Sequence, residues 1–214
     1  MTSNKFLHIF CLIAWCYSLS ACKPTHSNNP LQSSSFYQID AHFATQHPNT
    51  RFILVEFFDY RCEACAAGFP AIKELQTIDP QVEVIYRELP FLGSNSEFAA
   101  RVALAAGLQG KYLELHDALM QNSANLDEDT AMSIAKQANL NLSELTDDMQ
   151  SPFVNKQLFE NSLLAAKINL NSTPTYLFAR VSWQQGQLQI DNAVLLNGTQ
   201  TLQQLKDTVV DLNV

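Results

Sequence analysis

The fold is decided by residues 51–65, RFILVEFFDYRCEAC, in which an apolar run leads directly into two cysteines. A nearly continuous apolar run of this length predicts a strand buried on both faces of a sheet. We expect a helix over 66–77 after the cysteines, with Pro70 as a kink inside it. Cys62 then lies at the N-terminus of this helix, where free backbone N–H groups and the helix dipole favour an anion.

The spacing of the two cysteines suits thiol chemistry. A cysteine thiol at a helix N-terminus has a lowered pKa, which favours the thiolate at Cys62. Cys65 lies three residues later, on the same face of the helix and one turn deeper. Cys62 is therefore placed to attack a partner disulfide, and Cys65 to resolve the mixed disulfide that forms. Because a bridge closing so short a loop constrains the unfolded chain little, we interpret the pair as present for its chemistry.

The rest of the chain alternates between strand and helix patterns. Residues 81–87 predict a second strand, and 94–170 is almost wholly helical in pattern. Two further strands are predicted at 175–182 and 187–196, followed by an amphipathic helix over 201–212. The order strand, helix, strand, helical block, two strands, helix predicts an α/β layer with an inserted helical subdomain.

The N-terminal segment has the pattern of an export signal. Residues 1–5 carry one positive charge, and 6–21 form a mostly apolar run that is short for a spanning helix. The run ends in LSAC, residues 19–22, which is similar to the lipobox of bacterial lipoproteins. That similarity implies a lipid on Cys22 as the first residue of the mature chain. The alternative is an uncleaved anchor helix. In both interpretations the domain lies outside the cytoplasm and is tethered to a membrane.

Composition excludes several classes of protein. Apolar residues make up 47% of the 214-residue chain and charged residues 16%, which excludes a disordered or collagen-like chain. The net charge of −8, without a basic cluster, predicts no nucleic-acid partner. Only the N-terminal run approaches the length of a membrane span, which excludes a multi-pass membrane protein.

Five cysteines are present, but we expect only Cys62 and Cys65 to remain free for chemistry. Cleavage of the signal would remove two others, and lipid would occupy Cys22. A zinc site would need further ligands, normally a second pair of Cys or His. His42 and His47 have a compatible spacing but lie upstream in a polar stretch. We therefore predict no metal and no cofactor other than the redox-active disulfide, with zinc as an alternative.

Together these segments resemble the DsbA-like thiol:disulfide oxidoreductases of the thioredoxin superfamily. The resemblance rests on VEFFDYRCEAC (55–65), on 86–120, on NSTPTYLF (171–178) and on 194–209. It implies a thioredoxin fold with an inserted helical subdomain, in an enzyme that exchanges a disulfide with the thiols of substrate proteins. The domain boundaries are then 1–21 for the signal peptide, 22–50 for the lipidated cysteine, polar tether and lead-in, 51–93 and 171–214 for the two parts of the thioredoxin fold, and 94–170 for the helical insertion.

The resemblance also implies roles for residues around the cysteines. Pro174 is expected to be cis and to lie against the disulfide, with the backbone of Thr173 available to pair with substrate. Glu56 matches a buried acid that assists proton transfer at the deeper cysteine; the alternative is a side chain at the strand edge in water. We further predict that Tyr60 lines the substrate surface and that His116, on an amphipathic helix, is structural.

The dipeptide between the cysteines departs from the family pattern. Strongly oxidising members often carry Pro-His there, or Pro with an aromatic residue, whereas this chain has Glu63 and Ala64. Glu63 disfavours the Cys62 thiolate, and Arg61 is expected to offset this effect. Since a less stabilised thiolate means a less readily reduced disulfide, we predict a redox potential below that of the strongest oxidants.

The predicted function is that of a periplasmic disulfide donor, anchored by lipid and reoxidised by a membrane redox partner. Alternatives are a reductase or isomerase of the same fold, a non-enzymatic Cu(I)- or Zn(II)-binding lipoprotein, and a structural lipoprotein with an inert disulfide. Residues 23–50 are too few for the dimerisation domain of dedicated isomerases, which favours a monomer. Lys23 after Cys22, where Asp would signal inner-membrane retention, favours the outer membrane.

Overall fold

The computed structural model describes residues 29–38 and 49–214. The predicted signal peptide, Cys22 and the His42/His47 pair lie outside these residues. Within the two described ranges, no helix is long and apolar enough to cross a membrane. In the same residues, no three His, Cys, Asp or Glu side chains come together where they could hold a metal ion.

Four strands form one sheet in the order β2-β1-β3-β4. β1 pairs with β2 in parallel and with β3 antiparallel, and β3 and β4 form an antiparallel hairpin. All seven residues of β1 are buried, as expected for a central strand with both faces covered. The strands are β1 Phe52–Phe58, β2 Val82–Glu88, β3 Thr175–Gln184 and β4 Gln187–Asn197.

Helices cover both faces of this sheet, and five of them form the block between β2 and β3. The α-helices are α1 Glu63–Ile78, α2 Ser94–Leu108, α3 Tyr112–Gln121, α4 Glu128–Gln137, α5 Leu142–Asp148, α6 Pro152–Lys167 and α7 Leu202–Leu212. Helix α1 begins at Glu63, earlier than the predicted residue 66, because the Cys62 side chain caps it. The predicted α/β layer with an inserted helical subdomain is confirmed.

The side chains of β1 alternate between two apolar clusters, one on each face of the sheet. Leu54 and Phe58 pack in the larger cluster with α1 and the inserted helices. Val55 and Phe57 pack in the smaller cluster, which also holds Phe36 of the segment 29–38. Glu56 follows the alternation of Leu54 and Phe58, so its carboxyl group faces the side of the sheet on which α1 lies.

A buried polar network fastens the segment 29–38 and α6 to the end of β2. Arg87 donates to the Asn161 side chain at 3.3 Å and to the backbone carbonyl groups of Phe36, at 3.3 Å, and Gln38. The neighbouring Glu88 accepts hydrogen bonds from the Tyr112 hydroxyl, at 2.5 Å, and from Asn161. Burial raises the pKa of Glu88 to about 7, and the hydrogen bond from Tyr112 partly offsets this effect. The network thus connects the end of β2 to α3, to α6 and to the segment 29–38.

Candidate active site

The two cysteines occupy the first turn of α1, immediately after the central strand. The Cys62 sulfur accepts a hydrogen bond from the backbone N–H of Cys65 at 3.3 Å, which is the N-cap interaction of this helix. Both cysteines are free thiols in this structure. Cys62 is 8% exposed and Cys65 is 0% exposed. A substrate sulfur can therefore reach Cys62, whereas Cys65 lies behind it.

The two sulfurs differ strongly in their affinity for a proton. A hydrogen bond from the Cys65 side chain, a side-chain hydrogen bond with Thr173 and the backbone N–H groups of Cys65 and Ala64 lower the pKa of Cys62 to about 6, against the effect of burial. The hydrogen bond to Cys62 and burial raise the pKa of Cys65 well above its ordinary value. At neutral pH the pair therefore holds one proton on Cys65 and a thiolate at Cys62.

The loop that precedes β3 brings Thr173 and Pro174 against the reactive sulfur. The Thr173–Pro174 peptide bond is cis. The Thr173 carbonyl oxygen lies 3.5 Å from the Cys62 sulfur, although 111 residues separate the two in the chain. Pro174 is buried, while Thr173 is partly exposed beside Cys62.

Glu56 is fully buried in the middle of β1, and within the described residues neither of its carboxyl oxygens is within hydrogen-bond geometry of a partner. Burial raises its pKa to about 8; an interaction with the Tyr176 hydroxyl lowers it, and the Cys62 charge raises it. The alternative in which Glu56 points to water at a strand edge is wrong, because β1 lies between β2 and β3. Glu56 in turn contributes to the raised pKa of Cys65.

The prediction that Tyr60 lines the substrate surface is wrong, because Tyr60 is only 1% exposed. Helix α3 of the insertion covers it, and its hydroxyl lies 3.1 Å from Nδ1 of His116. The His116 ring is fully buried and packs against Phe58 and Tyr86 at centroid distances of 5.0 and 3.9 Å. Burial, and then the charge of Lys73, lower the pKa of His116 to about 3, so the ring is neutral at physiological pH.

The three residues expected to tune the redox potential, Arg61, Glu63 and Ala64, are exposed around Cys62. Ala64 contributes a backbone N–H to the low pKa of Cys62, whereas neither Arg61 nor Glu63 is among the main causes of that shift. Asp59, which sequence reasoning did not single out, is buried in the turn just before Cys62. Its position in the sequence could have indicated a role, because an acid directly between a buried strand and the cysteines needs hydrogen-bond partners.

Comparison with known proteins agrees with this geometry. Residues 53–210 match the model of the DSBA-like thioredoxin domain family. The chain belongs to this family. Residues 53–210 thus form a DsbA-like thiol:disulfide oxidoreductase domain, and the predicted thioredoxin fold with a helical insertion is confirmed.

Solved structures of similar proteins include a thioredoxin-like oxidoreductase from Silicibacter pomeroyi DSS-3. It has a TM-score of 0.73 and 33% sequence identity, and the alignment covers 85% of this chain and 97% of that chain. The catalytic domain of Proteus mirabilis ScsC aligns with a TM-score of 0.69 and 25% identity over 84% of this chain and 93% of that chain.

Among curated proteins, the Na(+)/H(+) antiporter NhaA 1 of Salinispora arenicola is 27% identical over 125 residues, which are 58% of this chain but only 19% of that protein. The probable disulfide bond formation protein D of Bacillus cereus is 24% identical over 57% of this chain and 62% of its own length. The DsbA-like domain therefore matches only a part of each of these two proteins.

The low pKa of Cys62 can be measured on the reduced DsbA-like domain. We expect the rate of alkylation by iodoacetamide to rise with pH with a midpoint near 6. In Cys65→Ala the midpoint should move upward, because the S–H donor to the thiolate is lost. Cys65→Ser keeps a hydroxyl donor and should stay close to the wild-type midpoint. A wild-type midpoint at the ordinary thiol value of about 8.5 would contradict this account.

The buried Glu56 carboxyl should make stability fall as pH rises. It ionises near 4.5 in the unfolded chain but only near 8 in the folded protein, so its contribution is full below pH 4.5 and is lost between these values. We therefore compare the unfolding free energies of Glu56→Gln and wild type. The difference between them should shift in favour of the variant by on the order of 3 kcal/mol from pH 5 to pH 8. Urea unfolding at both pH values measures this difference.

The matched control for this experiment is Glu74→Gln, because Glu74 is an exposed residue of α1. It should follow the wild-type pH dependence. The contribution of Cys62 is common to all three proteins and cancels in the differences. Parallel curves for wild type and Glu56→Gln would show that the Glu56 carboxyl is ionised in the folded protein.

Proposed function

We propose that this protein is a disulfide donor that oxidises cysteine pairs in substrate proteins of the bacterial periplasm. The observation that carries this proposal is the placement of the two sulfurs. Cys62 accepts from the backbone N–H of Cys65 at the helix N-terminus, which favours a thiolate there, whereas Cys65 is fully buried, which favours a protonated thiol. A protein that stabilises its own thiolate stabilises its reduced form, and therefore gives up its disulfide more readily.

Oxidation of a substrate takes two exchange steps. A substrate thiolate attacks the Cys62 sulfur of the Cys62–Cys65 disulfide, the S–S bond breaks, and Cys65 leaves as a thiolate that takes up a proton. A second substrate thiolate then attacks the substrate sulfur of the mixed disulfide, and Cys62 leaves as a thiolate. Two electrons pass from the substrate to the protein, and a membrane redox partner would remove them and restore the disulfide.

The surrounding residues supply what each step requires. The Glu56 carboxyl, neutral and buried behind Cys65, would donate the proton that the departing Cys65 thiolate takes up. The Thr173 backbone, beside Cys62, would pair with the substrate chain. At the surface around Cys62, the residues Arg61, Glu63 and Ala64 would tune the redox potential. Glu63 in particular would lower the potential, because it places a negative charge next to the thiolate.

The redox potential tests the direction of electron flow. The DsbA-like domain, with Cys22 replaced, is equilibrated in graded glutathione buffers, and free thiols are counted by alkylation and mass. We expect a potential between about −200 and −120 mV, above the glutathione poise but below the strongest oxidant. A value near that of thioredoxin, about −270 mV, would instead indicate a reductase, and a protein that never forms the disulfide would point to a dithiol metal carrier.

The contribution of Glu63 can be isolated in the same assay. Because an exposed charge contributes a few tenths of a kcal/mol, Glu63→Gln should raise the potential by about 10 mV. Glu74→Gln removes an exposed charge from the C-terminal half of the same helix and should leave the potential unchanged.

The membrane anchor is proposed from the sequence alone. The LSAC motif at residues 19–22 supports lipidation of Cys22, and Lys23 after it supports the outer membrane. In cells that process lipoproteins, the wild-type chain should incorporate labelled palmitate and sediment with membranes. Cys22→Ser should lose the label. A wild-type chain that sediments with membranes but carries no label would indicate that the uncleaved N-terminal segment is the anchor.

A further inference from the structure

Asp59 is the residue at which the chain leaves β1 and turns towards α1. It is 1% exposed, and both of its carboxylate oxygens accept hydrogen bonds from backbone N–H groups. Oδ1 accepts from Arg61 at 2.8 Å, within the reactive turn, and Oδ2 accepts from Leu92 at 3.0 Å, in the loop after β2. Its backbone carbonyl accepts from the N–H of Cys62 at 3.1 Å. One residue therefore connects the reactive turn to a loop more than thirty residues away.

Asp59 also reaches the buried sulfur through its backbone. The hydrogen bond to Cys62 and burial raise the pKa of Cys65, and a hydrogen bond from the backbone N–H of Asp59 opposes them. This contact and the carbonyl contact with Cys62 use only main-chain atoms of Asp59, so they persist when its side chain is changed. The carboxylate itself has a separate task, which is to join the two loops.

The loop that Asp59 holds carries two exposed apolar side chains. The N–H of Leu89 donates to the carbonyl of Phe58 at 2.7 Å, which extends the pairing of β1 and β2 by one residue. Beyond this point the loop turns outward, and Phe91 and Leu92 are 54% and 51% exposed. A single exposed apolar residue is ordinary, but two consecutive ones, tied by hydrogen bond to the turn that carries the nucleophile, form a surface for contact.

We infer that Asp59 is a positioning residue for disulfide exchange, whose carboxylate holds Phe91 and Leu92 in register with Cys62. The inference rests on the proposed function. An extended segment of a reduced substrate, with apolar residues beside its cysteine, would then contact this pair while its sulfur meets Cys62. A carboxylate is required because it accepts from both loops at once, whereas an amide presents only one oxygen.

The test uses oxidised protein and three reduced probes. One is a peptide with a cysteine pair flanked by Leu and Phe, the second is the same peptide with Ser and Gly flanks, and the third is dithiothreitol. We expect Asp59→Asn to lower the second-order rate constant for the apolar peptide about tenfold, and those for the other two probes by less than threefold. The ratio between the two peptides is the decisive readout, since a loss of stability alone would lower both rates together.

The matched control is Asp79→Asn. Asp79 follows the other end of α1, where its carboxylate accepts from the backbone N–H of Gln81 at 3.0 Å. The same chemical change there removes a similar turn hydrogen bond far from the cysteines. It should leave all three rates within twofold of wild type, whatever it does to the unfolding temperature.

A double-mutant cycle identifies the route by which Asp59 acts. If the carboxylate works through the loop, replacing both Phe91 and Leu92 by Ala should itself reduce the preference for the apolar peptide. Adding Asp59→Asn to that protein should then lower the rate little further. Should Asp59→Asn not fold, Asp59→Ser serves instead, because a hydroxyl can still accept from Arg61 but is too short to reach Leu92.

The outcomes separate this inference from the proposed function. If the wild-type disulfide oxidises none of the probes, the proposed function is wrong and the positioning role falls with it. If wild type oxidises them and Asp59→Asn leaves the peptide ratio unchanged, only the positioning role is wrong. Fully additive losses in the cycle would also overturn it, because they would show that Asp59 acts independently of Phe91 and Leu92.

Discussion

The chemistry of the site depends on the hydrogen bond that the Cys65 thiol donates to the Cys62 sulfur in the first turn of α1. It lowers the pKa of one thiol and raises that of the other, so the pair carries a single negative charge at neutral pH. The charge stays at Cys62 because the backbone N–H groups of the helix N-terminus and the side-chain hydrogen bond with Thr173 stabilise an anion there, while burial keeps Cys65 neutral. A separate hydrogen bond, from the backbone N–H of Cys65 to the Cys62 sulfur, caps α1 and allows the helix to begin directly after Cys62.

Behind this anion lie two buried ionisable groups, Glu56 and His116, that are uncharged. Glu56 has a raised pKa and His116 a lowered pKa, both chiefly through burial, so each is neutral at physiological pH. A second charge in this apolar region would lie close to the thiolate without water to screen it. In the described part of the chain the Glu56 carboxyl has no hydrogen-bond partner, which lowers stability, and this cost is expected if Glu56 serves the proposed proton transfer rather than folding.

The helical insertion completes the site although it lies far from the cysteines in sequence. Helix α3 places His116 against Tyr60, and the Tyr112 hydroxyl satisfies Glu88 at the end of β2. These contacts pack the insertion against the carboxyl ends of β1 and β2. The reactive turn is therefore supported by elements from both parts of the thioredoxin fold and by the insertion between them.

Local features of the sequence determined the strand that ends in the CxxC motif, the helix it starts and the order of the elements. These depend on the spacing of apolar residues and on capping, which are properties of neighbouring residues. Family resemblance added the expectation of a buried Glu56 and of a proline loop at the site. Only the tertiary structure decided that Tyr60 is buried, that the Thr173 carbonyl meets Cys62, and that Asp59 bonds to Leu92. Each of these three features brings together residues that are distant in the chain. Their contacts depend on how helices and loops pack around the sheet, and a local sequence pattern does not encode that packing.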